Sequence, residues 1–269
     1  MAGALRDPAR ARDGLQARSR LRLDRARPPG ERGPRLISFV VPAHNEEKEL
    51  AAALASIHAA ARAAGEPYEV VVANDSSTDA TAAIAAQGGA RVIDVQKRQI
   101  AGARNAGARA ASGETLVFVD ADTHVGAALV KEALAALRSG AVGGGARVRF
   151  HRAVPAWVSV FMWVFTPLYF GMGRWAAGCF VFCTRAAFEA VGGFDEGTYA
   201  GEEVHFSRAL KRLGRFVIVR EWVATSPRKV DNRTFWDMMR INFQVMRSVG
   251  FDLRIKRRED AGFWYEDRR

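Results

Sequence analysis

Two carboxylates stand two residues apart in Asp120-Ala121-Asp122, directly after the apolar run Thr115–Val119. In an extended turn, both side chains can reach one divalent cation, either directly or through water. Mg²⁺ and Mn²⁺ favour carboxylate, water and phosphate oxygens, so this pair suits a metal that bridges to a diphosphate. Alternatively, Asp122 or Thr123 caps a helix that begins near Ala127. The pair alone leaves both interpretations open.

The elements that must position these groups alternate between strand and helix from residue 36 onward. Short apolar runs alternate four times with segments of helical spacing, which predicts right-handed crossovers and a mostly parallel sheet in an α/β fold. Ligands of such sheets bind beyond the carboxyl ends of the strands. Polar clusters fall at three of these ends, namely His44-Asn45-Glu46, Asn74-Asp75 and Asp120-Ala121-Asp122. The predicted strands cover 36–41 (ended by Pro42), 68–73, 91–95 and 115–119, and the predicted helices cover 46–64, 79–87 and 100–111.

The second half of the chain is less regular after Gly143-Gly144-Gly145. Its pattern has an α+β texture without a clean boundary, so it is expected to pack onto the same sheet in one domain. Strands are predicted at 146–150, around 180–182 and at 216–219, and helices from Arg185, at 202–213 and at 233–247.

Both ends of the chain are expected to be disordered or mobile. Residues 1–35 contain ten Arg against four acidic residues, which is +6 of the chain's net charge of +11. This segment lacks apolar periodicity and the apolar centre of a secretory signal, so it predicts a solvated leader, with contact to anionic lipid or nucleic acid as the alternative. Residues 251–269 are interpreted as a mobile tail or a docking peptide. Cys179 and Cys183 are interpreted as buried thiols of a reducing compartment, which favours a cytoplasmic protein.

Several motifs, in this order and spacing, resemble those of family 2 glycosyltransferases. The resemblance covers residues 36–220 and implies a GT-A fold, a Rossmann-like sandwich in a single domain at 36–250. Residues 36–125 would form the nucleotide-sugar half and 126–250 the acceptor half. The motifs are Pro42-Ala43-His44-Asn45-Glu46, Asn74-Asp75-Ser76-Ser77-Thr78-Asp79, Ala103-Arg104-Asn105-Ala106-Gly107, Asp120-Ala121-Asp122, Gly192-Gly193-Phe194-Asp195 and Gly201-Glu202-Glu203.

The resemblance implies a metal-dependent, inverting, hexosyltransferase-like enzyme with a nucleotide-sugar donor, UDP-linked in the simplest case. Asp75 would accept a hydrogen bond from the base, Asp122 would bind Mg²⁺ or Mn²⁺, and Asp120 would lie near both the ribose and the metal. Arg98 and Arg104 are candidates to bind the diphosphate, because guanidinium groups suit phosphate oxygens. Alternatively, each of these arginines belongs to a solvated helix start. The remaining implied donor-binding residues are Pro42, Ala43, Glu46, Ala121, Arg98 and Arg104, with Lys97 as a further cation.

The implied general base lies in an acidic pair, which is Glu202-Glu203 in this chain. Glu203 stands where the family has Asp and is favoured over Glu202, whose alternative role is at the helix N-terminus. The first residue of the family's paired Asp is Asn74 here, so selectivity for uridine is uncertain. His205 is a candidate third metal ligand, with a packing or surface role as the alternative.

Two further segments bear on the acceptor side. The 21 residues between Arg152 and Arg174 carry no charge and several aromatics. A membrane span there would separate Asp122 from Glu203, so the segment is interpreted as a core helix with a loop, or as an interfacial apolar surface for a lipid-linked acceptor. Residues 225–229 could close over the donor phosphates, with Arg228 or Lys229 pairing them.

The expected partners are a nucleotide-sugar donor and a glycan, lipid-linked or small-molecule acceptor. No specific nucleic acid is expected, and peripheral contact with the inner face of a membrane stays open. The resemblance places such a role in bacterial cell envelope or glycan synthesis. Two other classes remain: a catalytically weak GT-A binding protein, and a nucleotidyltransferase, which should carry a Gly- and basic-rich loop where this chain has Ala-His-Asn-Glu-Glu.

Overall fold

The structure is a computed structural model that describes residues 36–161, 163–164, 175–228, 234–240, 243 and 261. The predicted leader at 1–35 lies outside the described residues, as does the predicted tail at 251–269 apart from Ala261. The predicted helix at 233–247 is described in part, and residues 235–240 are helical.

One eight-stranded sheet forms the centre of the molecule, in the order β3-β2-β1-β4-β7-β6-β8-β5. The first four strands pair in parallel, whereas β7 is antiparallel to both β4 and β6, and β8 is parallel to β6 but antiparallel to β5. The predicted parallel sheet therefore forms the first half, and the second half is mixed. The strands are β1 Ile37–Ala43, β2 Tyr68–Asp75, β3 Arg91–Val95, β4 Thr115–Val119, β5 Thr123–His124, β6 Gly143–Phe150, β7 Phe180–Thr184 and β8 Phe216–Thr225.

Helices cover both faces of the sheet, because the side chains of each central strand alternate between the faces and both sets are apolar. Phe39 and Val41 face α1 and α4 in one buried cluster. Val40 faces α3, α5 and α6 in the other. The helices are α1 Leu50–Ala64, α2 Thr81–Gln87, α3 Ile100–Ala110, α4 Ala127–Arg138, α5 Arg185–Val191 and α6 Glu202–Leu213.

The first strand is longer than predicted, because Pro42 does not end it. Pro42 pairs with Ala73 of β2, and β1 continues to Ala43. On its other side, β1 pairs with β4 only from Ile37 to Val40. At Pro42 the strand therefore has one neighbour, so the missing N–H of proline costs little there.

The sixth strand begins at Gly143, three residues before its predicted start, and includes the glycine triplet. The strands approach so closely here that a Cβ on Gly144 would lie 2.0 Å from the Val217 carbonyl oxygen. Glycine is required because the backbones are in contact, although its propensity disfavours strands.

The aromatic segment after Arg152 begins as a helix at residue 156. Trp157 and Phe161 each meet the ring of Phe235 edge-on, with centroids 6.3 and 6.2 Å apart. In the part of the chain that is described, no helix is both long and apolar enough to cross a membrane. The helical residues around these rings also expose large apolar side chains to solvent, namely Val160, Trp163, Val164, Trp236 and Phe243.

Candidate active site

The carboxylate of Asp75, at the end of β2, organises the loop that leads into α3. Its Oδ1 accepts hydrogen bonds from the backbone N–H groups of Lys97 and Arg98, both at 2.8 Å, and its Oδ2 accepts one from Gln99 at 2.9 Å. A carboxylate has about four acceptor positions. Asp75 therefore fixes the start of α3 and retains one acceptor position for a further donor such as a nucleobase.

The loops after β1 and β2 are tied together by short polar contacts. The Nδ1 of His44 contacts the carbonyl oxygen of Asp75 at 2.6 Å. Asn45 has a left-handed φ of 54°, and its Oδ1 accepts a hydrogen bond from the N–H of Thr78 at 2.8 Å. The N–H of Glu46 donates to Thr81 Oγ1 at 2.8 Å. These contacts hold residues 44–46 in a turn before α1, so the regular helix begins at Leu50 instead of Glu46.

The two carboxylates of Asp120-Ala121-Asp122 face different cations. Asp120 Oδ1 accepts a hydrogen bond from Arg104 at 2.8 Å, and its side chain is 27% exposed. Asp122 is buried, and its Oδ2 lies 3.3 Å from Arg228 Nη2. The alternative of a helix cap is wrong, because α4 starts after Gly126 without any side-chain cap.

A buried guanidinium joins the first and second halves of the site. Arg104, on α3, is 1% exposed and donates through Nη1 to Glu202 Oε1 at 2.9 Å. Its Nη2 donates to Asp120 Oδ1 and to the carbonyl oxygen of Gly178, both at 2.8 Å. The two carboxylates outweigh burial and raise the pKa of Arg104 above its usual range. The alternative of a solvated helix start is therefore wrong for Arg104, which binds the site's own carboxylates.

The acidic pair begins α6 just after Gly201, and its two members have different environments. Glu202 is buried and paired with Arg104. Glu203 is only partly buried by its accessible surface, and desolvation, reinforced by repulsion from Glu202, raises its pKa to about 8. Glu202 therefore has a guanidinium partner, whereas the environment of Glu203 disfavours its charged form.

A second arginine reaches the site from the chain that follows β8. Arg228 Nη2 donates to Glu46 Oε1 and also approaches Asp122. Its side chain is 25% exposed, whereas those of Glu46 and Asp122 are 5% and 9% exposed. Arg228 therefore neutralises two largely buried carboxylates that are 76 residues apart in sequence, and Lys229 lies outside the described residues.

Asn105 is a structural residue of the site for which no role was predicted. Its Oδ1 accepts a hydrogen bond from the N–H of Phe194, and its Nδ2 donates to the Phe194 carbonyl oxygen, both at 2.9 Å. Phe194 in turn lies under the Arg104 guanidinium, 5.3 Å from ring centroid to Cζ. Its presence in the motif Ala103-Arg104-Asn105-Ala106-Gly107 was the available sequence signal for Asn105.

The other predicted site residues are dispersed around this centre. Ala43 and Ala121 are buried backbone positions at the ends of β1 and β4, whereas Arg98 is exposed with a left-handed φ of 46°. His205 lines a cavity of about 800 Å³ with Gly193 and Arg212, a cavity that does not include Asp122. Within the described ranges, no group of three or more His, Cys, Asp or Glu side chains is placed to hold a metal ion.

The comparison with protein families identifies the chain. The model of glycosyl transferase family 2 matches residues 38–191, which is more than half of the chain. The chain belongs to this family. The predicted resemblance to this family is confirmed.

Individual relatives agree with this family. Uncharacterized glycosyltransferases of Mycobacterium tuberculosis and Mycobacterium bovis are each 35% identical to this chain over 105 residues, which is 39% of the chain and 45% of each relative. The match thus spans less than half the length of these curated relatives.

Solved structures share the fold at low identity. Glucosyl-3-phosphoglycerate synthase from Mycobacterium tuberculosis, in complex with Mn²⁺, UDP and glucosyl-3-phosphoglycerate, superposes with a TM-score of 0.58 at 21% identity, covering 86% of this chain and 82% of that one. A mannosyltransferase from Pyrobaculum calidifontis, in complex with GDP-mannose and Mn²⁺, gives a TM-score of 0.59 at 18% identity, covering 96% and 78%. The predicted GT-A fold is confirmed.

Proposed function

We propose that this glycosyltransferase moves a sugar from a nucleoside diphosphate sugar, UDP-linked, to an acceptor hydroxyl with inversion at the anomeric carbon. The observation that carries the proposal is the contact of Arg104 with both Asp120 and Glu202. It joins the donor half of the family's motifs to the acidic pair, so a donor sugar and a general base can meet at one place.

The donor side is supported by its position at the carboxyl ends of β1, β2 and β4, where ligands of such sheets bind. Asp75 has one acceptor position left for the N–H of a base. Neighbouring structures contain UDP or GDP-mannose, so both bases are used on this fold. In this proposal Ala43, Ala121 and Glu46 line the nucleoside, and Arg98 is the exposed cation next to the diphosphate. Arg104 then acts by positioning carboxylates and does not itself bind phosphate.

A divalent metal, Mg²⁺ or Mn²⁺, fits the residues present. Mg²⁺ is commonly held by one or two carboxylates together with waters and substrate phosphates, so a protein site with three ligands is not required. Asp122 and Asp120 supply such oxygens, and the cationic Arg228 lies against Asp122, which indicates that the position favours positive charge. When bound, the metal would stabilise negative charge on the departing nucleoside diphosphate.

Glu203 is proposed as the general base because its raised pKa of about 8 suits proton transfer near neutral pH. Inversion by direct displacement forms a bond between the acceptor oxygen and the anomeric carbon as the bond to the diphosphate breaks. The acceptor's hydroxyl proton passes to Glu203. Glu202 is less suited to this role because its Oε1 already accepts a hydrogen bond from Arg104.

A donor-turnover assay tests this function without knowledge of the acceptor. Release of UDP from UDP-sugars, and of GDP from GDP-sugars, is measured with Mn²⁺ for the wild type, Glu203→Gln and Glu202→Gln, with small alcohols offered as acceptors. We expect Glu203→Gln to lower transfer at least 100-fold while nucleotide binding is retained. Near-normal transfer by Glu203→Gln would remove Glu203 as the base. Release of pyrophosphate instead of nucleoside diphosphate would indicate a nucleotidyltransferase.

We also propose that the exposed apolar surface formed by Val160, Trp163, Val164, Trp236 and Phe243 contacts a lipid surface. Two of these side chains are tryptophans, 79% and 77% exposed, and tryptophan favours the membrane interface. Such contact would present a lipid-linked acceptor to the enzyme.

Sedimentation with phosphatidylcholine vesicles, with and without 30% phosphatidylglycerol, tests this contact. The wild type is expected to bind, and the Trp163→Ser/Trp236→Ser variant is expected to bind at least about fivefold less, since each exposed aromatic contributes to interfacial affinity. Equal binding of both proteins would refute the lipid contact. Trp222→Ser, an exposed tryptophan on β8, is the control.

A further inference from the structure

Arg228 occupies an unusual position for a cation in a site that takes a metal. Its Nη2 contacts Glu46 Oε1, and it lies 3.3 Å from Asp122 Oδ2. Both carboxylates are largely withdrawn from water, so leaving them without a counter-charge would be costly. Arg228 therefore supplies the compensating positive charge for the loops that follow β1 and β4.

The backbone next to Arg228 is anchored to the same site. The N–H of Ser226 donates to the carbonyl oxygen of Asp122 at 3.1 Å, and Thr225 pairs with Thr123 of β5. The guanidinium stands at the end of a long side chain and is the part of this segment that can change partners without loss of the strand pairing. It therefore remains within reach of any ligand bound to Asp122.

A divalent cation bound to Asp122 would lie close to the guanidinium of Arg228, which is 3.3 Å from Asp122 Oδ2. The two positive charges would repel each other, so each would weaken the other's interaction with Asp122. A nucleoside diphosphate changes this balance. Its phosphate oxygens accept guanidinium hydrogen bonds, which are favourable and often bidentate. The diphosphate thus brings both the metal's remaining ligands and a new partner for Arg228.

We propose that Arg228 is a positioning residue that stands in for the metal at Asp122 while it also pairs with Glu46, and that it moves to the diphosphate when metal and nucleotide bind. The inference rests on the proposed function. It has a thermodynamic consequence: Arg228 weakens the binding of metal alone and strengthens the binding of the metal–nucleotide pair. Metal and nucleotide are therefore coupled through this side chain, and each raises the affinity for the other.

The test measures two binding reactions. Binding of Mn²⁺ alone is followed by electron paramagnetic resonance of the free ion. Binding of UDP, and of GDP as a second nucleotide, is measured by calorimetry at saturating Mn²⁺. In Arg228→Gln, we expect Mn²⁺ alone to bind about tenfold more tightly, because the repulsion between the guanidinium and the cation is removed. The free energy of this change is a small part of the interaction between two unit charges at this distance. UDP with Mn²⁺ should bind about tenfold more weakly, from the loss of a guanidinium–phosphate contact. Arg228→Lys should fall between the two proteins.

Arg138→Gln is the matched control, because Arg138, the last residue of α4, forms an ion pair with Glu66, which is not a residue of the proposed site. It should change neither affinity. A merely structural role for Arg228 would weaken both binding reactions, so the opposite signs are the diagnostic result.

Unchanged or weaker binding of Mn²⁺ alone by Arg228→Gln overturns the inference, even if UDP binds normally to the wild type. A wild type that binds Mn²⁺ but neither UDP nor GDP overturns the proposed function, and the inference with it.

Discussion

Replacement of Arg104 by methionine tests whether this side chain holds the site together. Methionine has a similar length, so the main change is loss of the guanidinium and its bonds to Glu202, Asp120 and the Gly178 carbonyl oxygen. Asp120 is partly exposed and can be hydrated, whereas Glu202 is only 5% exposed and would lose the guanidinium that compensates its charge. Removal of one partner of a buried pair costs about 3–5 kcal/mol. We expect a loss of about 4 kcal/mol, a large part of the ~5–15 kcal/mol typical of a folded protein.

Urea unfolding at pH 7, followed by circular dichroism and tryptophan fluorescence, measures this loss. The Arg104→Met/Glu202→Gln double variant should recover about 2 kcal/mol, because the buried negative charge is then gone. Arg104→Lys should be less damaging than methionine, since it retains the charge but not the planar fork. A loss below about 1 kcal/mol for Arg104→Met, or no recovery in the double variant, would refute the buried network as described.

Four further predictions concern Glu203, Arg185 and Gly107. Burial and Glu202 raise the pKa of Glu203 to about 8, so kcat/KM should rise with pH through about 8, and a flat profile between pH ~6 and ~9 would contradict Glu203 as the base. The stability of the fold should depend on pH in the opposite direction. Glu203 is protonated in the folded protein and ionised in the unfolded chain above pH ~4.3, so the free energy of unfolding should fall as pH rises from there to about 8. Glu203→Gln should abolish this dependence in urea titrations. Arg185 donates to three carbonyl oxygens around the end of α3, so Arg185→Ala should cost about 2–3 kcal/mol in the same measurement, and a change below ~0.5 kcal/mol would count against it. A Cβ on Gly107 would lie 2.4 Å from Val40 Cγ1, so Gly107→Ala should cost about 1–3 kcal/mol and should be partly rescued by Val40→Ala, and failure of that rescue would exclude the clash as the cause.

The first half of the fold and the location of the site could be predicted from sequence because the signals are local. β1, β2 and β4 are continuous apolar runs, and a polar group follows each at the edge where ligands bind. The order of these groups predicts the donor side at this edge. The glycine triplet of β6 could not be assigned to a strand, because the requirement for glycine arises from contact with Val217, 73 residues later.

The partners of the two arginines were beyond the sequence for the same physical reason. Arg104 lies on a helix whose pattern also fits a solvated start, and its burial depends on Glu202, 98 residues away. Arg228 was placed near the donor by its position after a strand, but its pairing with Glu46, 182 residues away, requires the folded sheet. Asp75 was expected to meet a base, and its three backbone hydrogen bonds to residues 97–99 depend on how the loop after β3 returns to β2.

Calorimetric titration of UDP-sugars and GDP-sugars, with and without Mn²⁺, into the wild type and Asp122→Asn tests the central claim most directly. The account predicts that one nucleotide sugar binds the wild type with Mn²⁺, that binding falls at least about tenfold without the metal, and that Asp122→Asn loses the same factor because an amide is a poorer ligand for a hard cation. Absence of nucleotide binding to the wild type under every metal condition would contradict it, as would metal-stimulated binding that Asp122→Asn leaves unchanged.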